Sequence, residues 1–306
     1  MYLITGANGF VGRALIGELT RRGLPFRAAS RLPRDGHVAI GEIGATTDWR
    51  GALAGVDAVI HLAARVHVMD RSLAQADAEF RPVNVEGTLN LMRQARAAGV
   101  KRLVYLSSIK VNGETTDGRG PFTANEAPKP EDAYGRSKLE AEHGLLTLAQ
   151  SGTEAVIIRP PLVYGPGVKA NFAAMMKWVR RGVPLPLGAV SNTRSLVFAG
   201  NLADLIIRAA SHRAAANEVF LASDGEDLST AELLRGLAHA MGVPSRLIPV
   251  PTGILHAGAA MLGKSSVADR LLGSLAVDID KSRRVLDWTP PYSVAEGLRA
   301  TANGRD

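Results

Sequence analysis

A short apolar run that stops on a glycine-punctuated turn constrains this chain more than any other feature. Tyr2-Leu3-Ile4-Thr5 reads as a strand. Gly6-Ala7-Asn8-Gly9-Phe10-Val11-Gly12 then enters a helix expected to reach about Arg22. Gly6 permits the tight turn, Gly9 lets backbone approach a pyrophosphate, and Gly12 lets the helix pack close to the strand. The helix start offers free N–H groups and the positive end of the helix dipole, with Asn8, Phe10 and Val11 around it. The spacing is G-x-x-G-x-x-G in a strand–turn–helix context, which implies a bound dinucleotide.

The pattern repeats in kind along the first half. Strands are expected at Phe26–Ser30, near Val38–Ile40, and at Ala58–Leu62, Leu103–Ser107 and Ala155–Arg159. Helices are expected at about Phe80–Ala98 and Ala133–Ser151. Nearly continuous apolar strands alternating with helices imply an α/β fold, a Rossmann-type doubly wound parallel sheet covered on both faces. After about Gly165 strands become rare and Pro and Gly rise. Helices are expected at about Asn171–Arg181, Asn201–His212, Thr230–Met241 and Gly253–Leu262, with one more strand at Val219–Ala222. The expected division is a dinucleotide-binding domain over 1–165, to which 196–212 returns, and a smaller, mostly helical substrate-binding cap over most of 166–306.

Composition narrows the chemistry. The chain has 306 residues and Cys 0, so disulfides, thiolate metal sites and a cysteine nucleophile are excluded. The seven histidines show no metal-ligand spacing, no metal is expected, and His61 reads as a core residue. Net charge is +7, but the cations are scattered as singles and doublets without interleaved aromatics. That argues against nucleic acid and is better matched by an anionic small substrate. Met1–Ile4 is too short for a secretion signal and lacks a basic flank, so a cytoplasmic location is expected. No apolar run reaches the roughly 18 residues of a membrane span; the longest, Thr252–Gly263, reads as a buried helix.

The end of the second strand selects the dinucleotide. An acidic residue there would hold the ribose 2′-OH of NAD, whereas a basic one favours a 2′-phosphate. Ser30-Arg31 stand there, Arg34 is near, and no carboxylate follows until Asp35. NADP is the expected cofactor. NAD is the alternative, with Arg31 stacked on adenine.

Tyr134 and Lys138 lie four apart on an expected helix, hence on one face. A lysine ammonium favours phenolate, and a phenol can exchange a proton with a hydroxyl whose carbon undergoes hydride transfer. The strand ending in Leu106-Ser107-Ser108 supplies a serine able to hydrogen-bond the same oxygen.

With these motifs the chain resembles the extended short-chain dehydrogenase/reductases, the group that includes nucleotide-sugar epimerases, dehydratases and reductases. The resemblance rests also on Asp57–Ala64, Asn84-Val85-Glu86-Gly87-Thr88, Arg159–Pro166 and Asn201-Leu202-Ala203-Asp204. It implies that Glu42 and Ile43 flank adenine, that Leu62, Ala63 and Ala64 line the cofactor, that Asn84 supports the site, and that Pro161 and Val163 lie near nicotinamide. Matching Val111-Asn112-Gly113 to the family pattern makes Ser108 the catalytic serine and places Ser107 beside the cofactor. Sugar-nucleotide 4,6-dehydratases carry Asp-Glu after that serine or threonine. Ile109-Lys110 stands here and argues against dehydration, leaving Lys110 either facing substrate or on the surface.

On the substrate side, Arg194 occupies the segment in which related enzymes place a diphosphate-binding arginine, and Arg270 is a candidate second one. Guanidinium gives bidentate phosphate contacts. Asn171 is either a ligand contact or a helix cap. The segment 108–114 resembles a subgroup associated with envelope polysaccharide sugars. The leading expectation is therefore a 4-ketoreductase acting on a UDP-hexose or UDP-2-acetamido-hexose. A 4-epimerase with tightly held NAD is the alternative, and a non-catalytic NADP-sensing regulator is a distant one. Relatives suggest a homodimer formed through the helices at 80–98 and 133–151.

Overall fold

The computed structural model describes residues 1–66, 73–150 and 152–304. The first half runs β1 (Tyr2–Thr5), α1 (Phe10–Arg21), β2 (Phe26–Ser30), β3 (His37–Ala39), α2 (Arg50–Leu53), β4 (Ala58–His61), α3 (Leu73–Arg81), α4 (Thr88–Ala97), β5 (Arg102–Leu106), α5 (Ala133–Ala149), β6 (Glu154–Arg159) and β7 (Leu162–Tyr164). It continues with α6 (Ala170–Arg180), β8 (Leu196–Phe198), α7 (Ala199–Ser211), β9 (Val219–Leu221), α8 (Thr230–Ala240), α9 (Thr252–Met261), α10 (Ser265–Leu272), α11 (Asp280–Leu286) and α12 (Val294–Asn303).

The order β3-β2-β1-β4-β5-β6-β9 forms a seven-stranded sheet in which every pairing is parallel. The side on which successive strands are added reverses between β1 and β4, whose parallel register pairs Ile4 with Ile60 and Thr5 with His61. That is the switch point at which a crevice opens beyond the strand ends. The turn at Gly6 and the segment Leu62–Ala64 leave the sheet there.

Leu3, Ile4, Val59, Ile60, Leu103 and Val156 are all fully buried, because helices cover both faces. On one face Leu15 and Leu19 of α1 share a core with Leu202 and Ile206 of α7. On the other, Leu91 and Ala95 of α4 pack with Ala141 and Leu145 of α5. A third core joins Tyr164, Phe172, Phe198, Leu234 and Leu298 in the later part of the chain. Strands β7 and β8 pair as a separate parallel ribbon.

Two expected helices differ. The single helix over 80–98 is instead α3, a six-residue π-helical segment (Pro82–Gly87) and α4. Pro82 lacks the N–H that an α-helix needs and crowds the preceding turn, so the spiral widens there. The apolar helix at Thr252–Met261 forms but has no buried residue. Ser151, the expected end of α5, lies outside the described residues.

Candidate active site

The turn after β1 is built by close approach. Gly6 has φ +69°, and a Cβ there would lie 2.7 Å from the Ala63 nitrogen. A Cβ on Gly12 would lie 2.3 Å from the Gly6 carbonyl oxygen. Any side chain at these positions would push β1, α1 and the β4 exit apart. The Gly9 N–H donates to the Gly6 carbonyl at 2.9 Å. Helix α1 opens at Gly9 with no side-chain cap and no carboxylate in its first turn. Its N–H groups, including those of Phe10 and Val11, are thus left for an anion. This cradle fits the pyrophosphate of a dinucleotide.

The expected ribose and adenine residues gather at the ends of β2 and β3. Arg31 and Glu42 are exposed and ion-paired at 3.3 Å. Arg34 donates to the Asn8 side-chain oxygen at 2.9 Å, tying the second-strand exit to the glycine turn. The Ser30 hydroxyl donates to the Leu32 carbonyl at 2.7 Å. Ile43 is half-buried and joins the core beneath α4 and α5. Leu62 and Ala64 are half-buried, and the Ala63 N–H donates to Thr5 Oγ1 at 3.2 Å.

Helix α5 carries the expected Tyr134 and Lys138. Asp132 caps its N-terminus, accepting from the Gly135 N–H at 2.6 Å. Gly135 is required by a close approach, since a Cβ there would lie 2.7 Å from the Lys110 carbonyl oxygen. The first turn of α5 therefore rests on the turn that begins at Ser108. Lys110 is drawn into that contact: its Nζ donates to Asp132 at 2.6 Å and to Glu114 at 2.8 Å. Ser108 starts the short 3₁₀ turn Ile109–Val111 and is half-buried at the strand exit.

Behind Tyr134, Lys138 is buried, donating to the Leu106 carbonyl at 2.7 Å and lying 4.2 Å from the Tyr105 ring centroid. Its Nζ stands 5.9 Å from the Tyr134 ring centroid. Burial, reinforced by the charge of Asp132, pushes the Tyr134 phenol up to about 12. Burial pushes the Lys138 ammonium down to about 7, against the opposing charge of Glu142.

Glu142 is the residue that sequence reasoning missed. It continues the stripe Tyr134–Lys138 by four more positions, a spacing legible in the sequence. It is buried, pairs with Arg159 at 2.5 Å and accepts from the Ser107 hydroxyl. Arg159 reaches on to Asn112 Oδ1 at 2.9 Å. Ser107 is thus turned into this buried network. Asn84 sits in the π-helical segment, donating to Ser137 Oγ at 3.0 Å and to the Arg65 carbonyl at 3.0 Å.

Other motif residues are architectural. Asp224 accepts from the Tyr164 hydroxyl at 2.7 Å and from Asn201 at 2.8 Å, joining β7 to α7. Asp204 accepts from Trp288 at 2.7 Å. His61 is buried between Thr5 and Thr88, and burial pushes its imidazole down to about 3, so it stays neutral. Pro161 is buried and Val163 half-buried at the exit of β6.

The substrate candidates divide. Arg194 is half-buried, donates to the Gly273 carbonyl at 3.0 Å and is held by backbone pairing with Leu228 and Leu275. Burial lowers its guanidinium from the usual value. A cleft of about 420 Å³ lies beside it, lined by Gly188, Asn192, Thr193, Ser229 and Arg235. Arg270 is exposed on α10, and Asn171 is exposed inside α6 rather than at its cap, which is Lys169. Among the described residues no group of acidic residues and histidines is arranged to hold a metal.

The model of the NAD dependent epimerase/dehydratase family matches residues 2–222. The chain belongs to this family. It is 47% identical to UDP-glucose 4-epimerase of Vibrio cholerae, over 98% of this chain and 94% of that one. It is 30% identical to N-acetyl-alpha-D-glucosaminyl-diphospho-ditrans,octacis-undecaprenol 4-epimerase of Escherichia coli O157:H7, over 83% and 76%. Among solved structures it resembles MoeE5 in complex with UDP-glucose and NAD, with a TM-score of 0.77, 25% identity, and 98% and 97% of the two chains covered. It is an NAD(P)-dependent enzyme of the epimerase and short-chain dehydrogenase/reductase class.

Proposed function

We propose that the protein is a UDP-hexose 4-epimerase that keeps its nicotinamide dinucleotide through the reaction, rather than a 4-ketoreductase that consumes one. The observation that carries this reading is the 47% identity, along essentially the whole chain, to a UDP-glucose 4-epimerase, and the chain retains Ser108, Tyr134 and Lys138. Gly6, Gly9, Gly12 and the start of α1 would hold the pyrophosphate, and Pro161 and Val163 would border the nicotinamide. Bound there, the dinucleotide supplies a hydride acceptor and donor.

The chain's own residues handle the proton. Tyr134 takes the proton from the sugar O4 and returns it, Ser108 fixes that oxygen by a hydrogen bond, and Lys138 favours the phenolate while it is charged. The nearby Glu142 carboxylate favours the charged form of Lys138, which the Leu106 carbonyl holds in place. The two relatives described above are named for sugars on a diphosphate, and Arg194, beside the cleft, would receive one, with Arg270 as a second. Arg31 and Arg34 favour NADP at the ribose end; the identity of the dinucleotide released on denaturing the purified protein checks this.

The function is tested by incubating the purified chain with UDP-glucose and no added reductant. Appearance of UDP-galactose by NMR, approaching a constant ratio from either hexose, is the expected outcome. Turnover only of a 4-keto sugar, with one NADPH consumed per product, would replace the reading by the reductase.

A further inference from the structure

Helix α9 is exposed where its composition demands burial. Ile254 is 62% exposed, Met261 88% and the following Leu262 74%. Positions 254, 257 and 261 form one stripe along the helix. Leu255 and Ala259 face the other way and pack onto the third core, so the helix is anchored by one side and offers the other. From residue 247 to 263 the only titratable side chain is His256, which lies 3.9 Å from Asp269 across the turn to α10. At ten residues α9 is far too short to span a bilayer.

Apart from Asp269, which faces His256, the charge around this stripe is basic. Residues 155–203 and 233–268 contain no Asp or Glu. Lys177, Arg180, Arg181, Arg246 and Lys264 are exposed there, and none has an ion-pair partner among the described residues. Arg246 lies against Gly182 at the end of α6, with its Nε 3.7 Å from where a Cβ would sit. Residues 185 and 247 pair as a bridge, so the exposed Val183 and Ile248 flank the same seam. The apolar stripe therefore springs from a basic cluster.

We propose that this face seats the enzyme on an anionic lipid bilayer, with Ile254, Met261 and Leu262 entering the headgroup boundary and the unpaired cations meeting acidic headgroups. Apolar side chains rimmed by lysine and arginine are the pattern of an interfacial helix. A second copy of the chain fits poorly, because a symmetric contact would bring two sets of unpaired cations together. A nucleic acid would match the charge but leave the apolar stripe in water. Helix α10, about 12 Å long, runs from the apolar tip to Gly273, whose carbonyl receives Arg194. Seating would thus hold the substrate arginine one short helix from the membrane surface. The surface stands on its own observations and does not depend on the epimerase assignment.

The test is co-sedimentation of the full chain with phosphatidylcholine vesicles containing or lacking a quarter phosphatidylglycerol. Binding to the anionic vesicles, weakened by salt, is expected. The triple variant Ile254→Ser/Met261→Ser/Leu262→Ser should lose binding at least tenfold while keeping its melting temperature and UDP affinity. If the triple variant does not fold, Met261→Ser alone should still weaken binding several-fold. The proposal is overturned by wild-type protein that stays in the supernatant, by a folded variant that sediments like wild type, or by a variant that merely turns an oligomer into monomers without any vesicle binding in the parent.

Discussion

Helices α5 and α9 invert each other. Helix α5 buries polar groups: Lys138 and Glu142 are each about 1% exposed, and Ser137 is buried beside them. Helix α9 is almost wholly apolar, yet none of its residues is fully buried. Water exclusion alone would produce neither. Buried charge must be compensated by partners, and exposed apolar surface must be covered by something. In α5 the compensation is internal, through Arg159, Leu106 and Asn112. In α9 the stripe Ile254, Met261 and the adjoining Leu262 is left uncovered among the described residues. The same contrast holds for cations. Arg21, Arg22, Arg81, Arg102 and Arg136 of the first half all have carboxylate partners, whereas Lys177, Arg180, Arg181, Arg246 and Lys264 have none among the described residues. The first region is organised to do chemistry within itself, and the second to meet something outside.

The sharpest way to break the first half of this comparison is Tyr134→Phe. Loss of the phenolic proton should lower kcat by about 10²–10⁴-fold, with dinucleotide binding retained in a fluorescence titration. Near-wild-type turnover would move the proton transfer to another group.

Glu142→Gln probes the compensation directly. It leaves the Arg159 charge buried and unpaired, which should cost about 3–5 kcal/mol in denaturant unfolding. It should also change the pH profile of any folded fraction. Burial already depresses Lys138, and Glu142 opposes that depression. Without the carboxylate the ammonium loses its proton at lower pH, so the alkaline limb of kcat/KM should move to lower pH. In stability the sign is the usual one for a depressed lysine. The unfolded chain binds more protons between about 7 and the ordinary lysine value, so this residue's contribution to stability rises with pH across that window. A lowered melting temperature with an unmoved alkaline limb would leave Glu142 a purely structural partner of Arg159.

Arg194→Ala stands between the two regions. A hydrogen bond to a charged partner contributes roughly 1.5–3 kcal/mol, so the Kd for UDP should rise about ten- to a hundredfold by calorimetry. A variant with lower melting temperature and unchanged UDP affinity would make Arg194 only a brace for Gly273. Arg31→Asp should produce the smallest change, weakening NADP about tenfold more than NAD. Equal losses would assign Arg31 to adenine stacking.

How much of this could be read without coordinates differs between the two regions for a physical reason. The parallel sheet, the turn at Gly6 and the shared face of Tyr134 and Lys138 follow from local rules of turn, period and spacing, whereas the choice of Ser108 over Ser107 rests on the family resemblance. The expected helix at 80–98 failed at Pro82, whose missing N–H was visible but whose outcome, a π-helical widening rather than a break, depends on packing against α5. Helix α12 opens with Ser293 and Glu296 in a reciprocal cap, a signal present in the sequence and overlooked. Glu142 was legible by spacing alone, but its burial against Arg159 is a long-range contact. The exposure of α9 was not legible at all, because apolar composition reports a tendency to leave water and not what is available to receive it. Lys110 shows the same limit. Its pairing with Asp132 and Glu114 comes from the close seat of Gly135 on the Lys110 carbonyl.

Under the proposed epimerase reading, the hydrogen that leaves the sugar C4 is the one that returns to it, without release from the site. UDP-glucose carrying deuterium at C4, incubated with the enzyme and excess unlabelled free NADPH, tests it most directly. The account predicts that NMR and mass spectrometry find the deuterium retained at C4 in both UDP-glucose and UDP-galactose. Deuterium transferred to the free dinucleotide pool, or hexose formed with unlabelled hydrogen at C4, would contradict it.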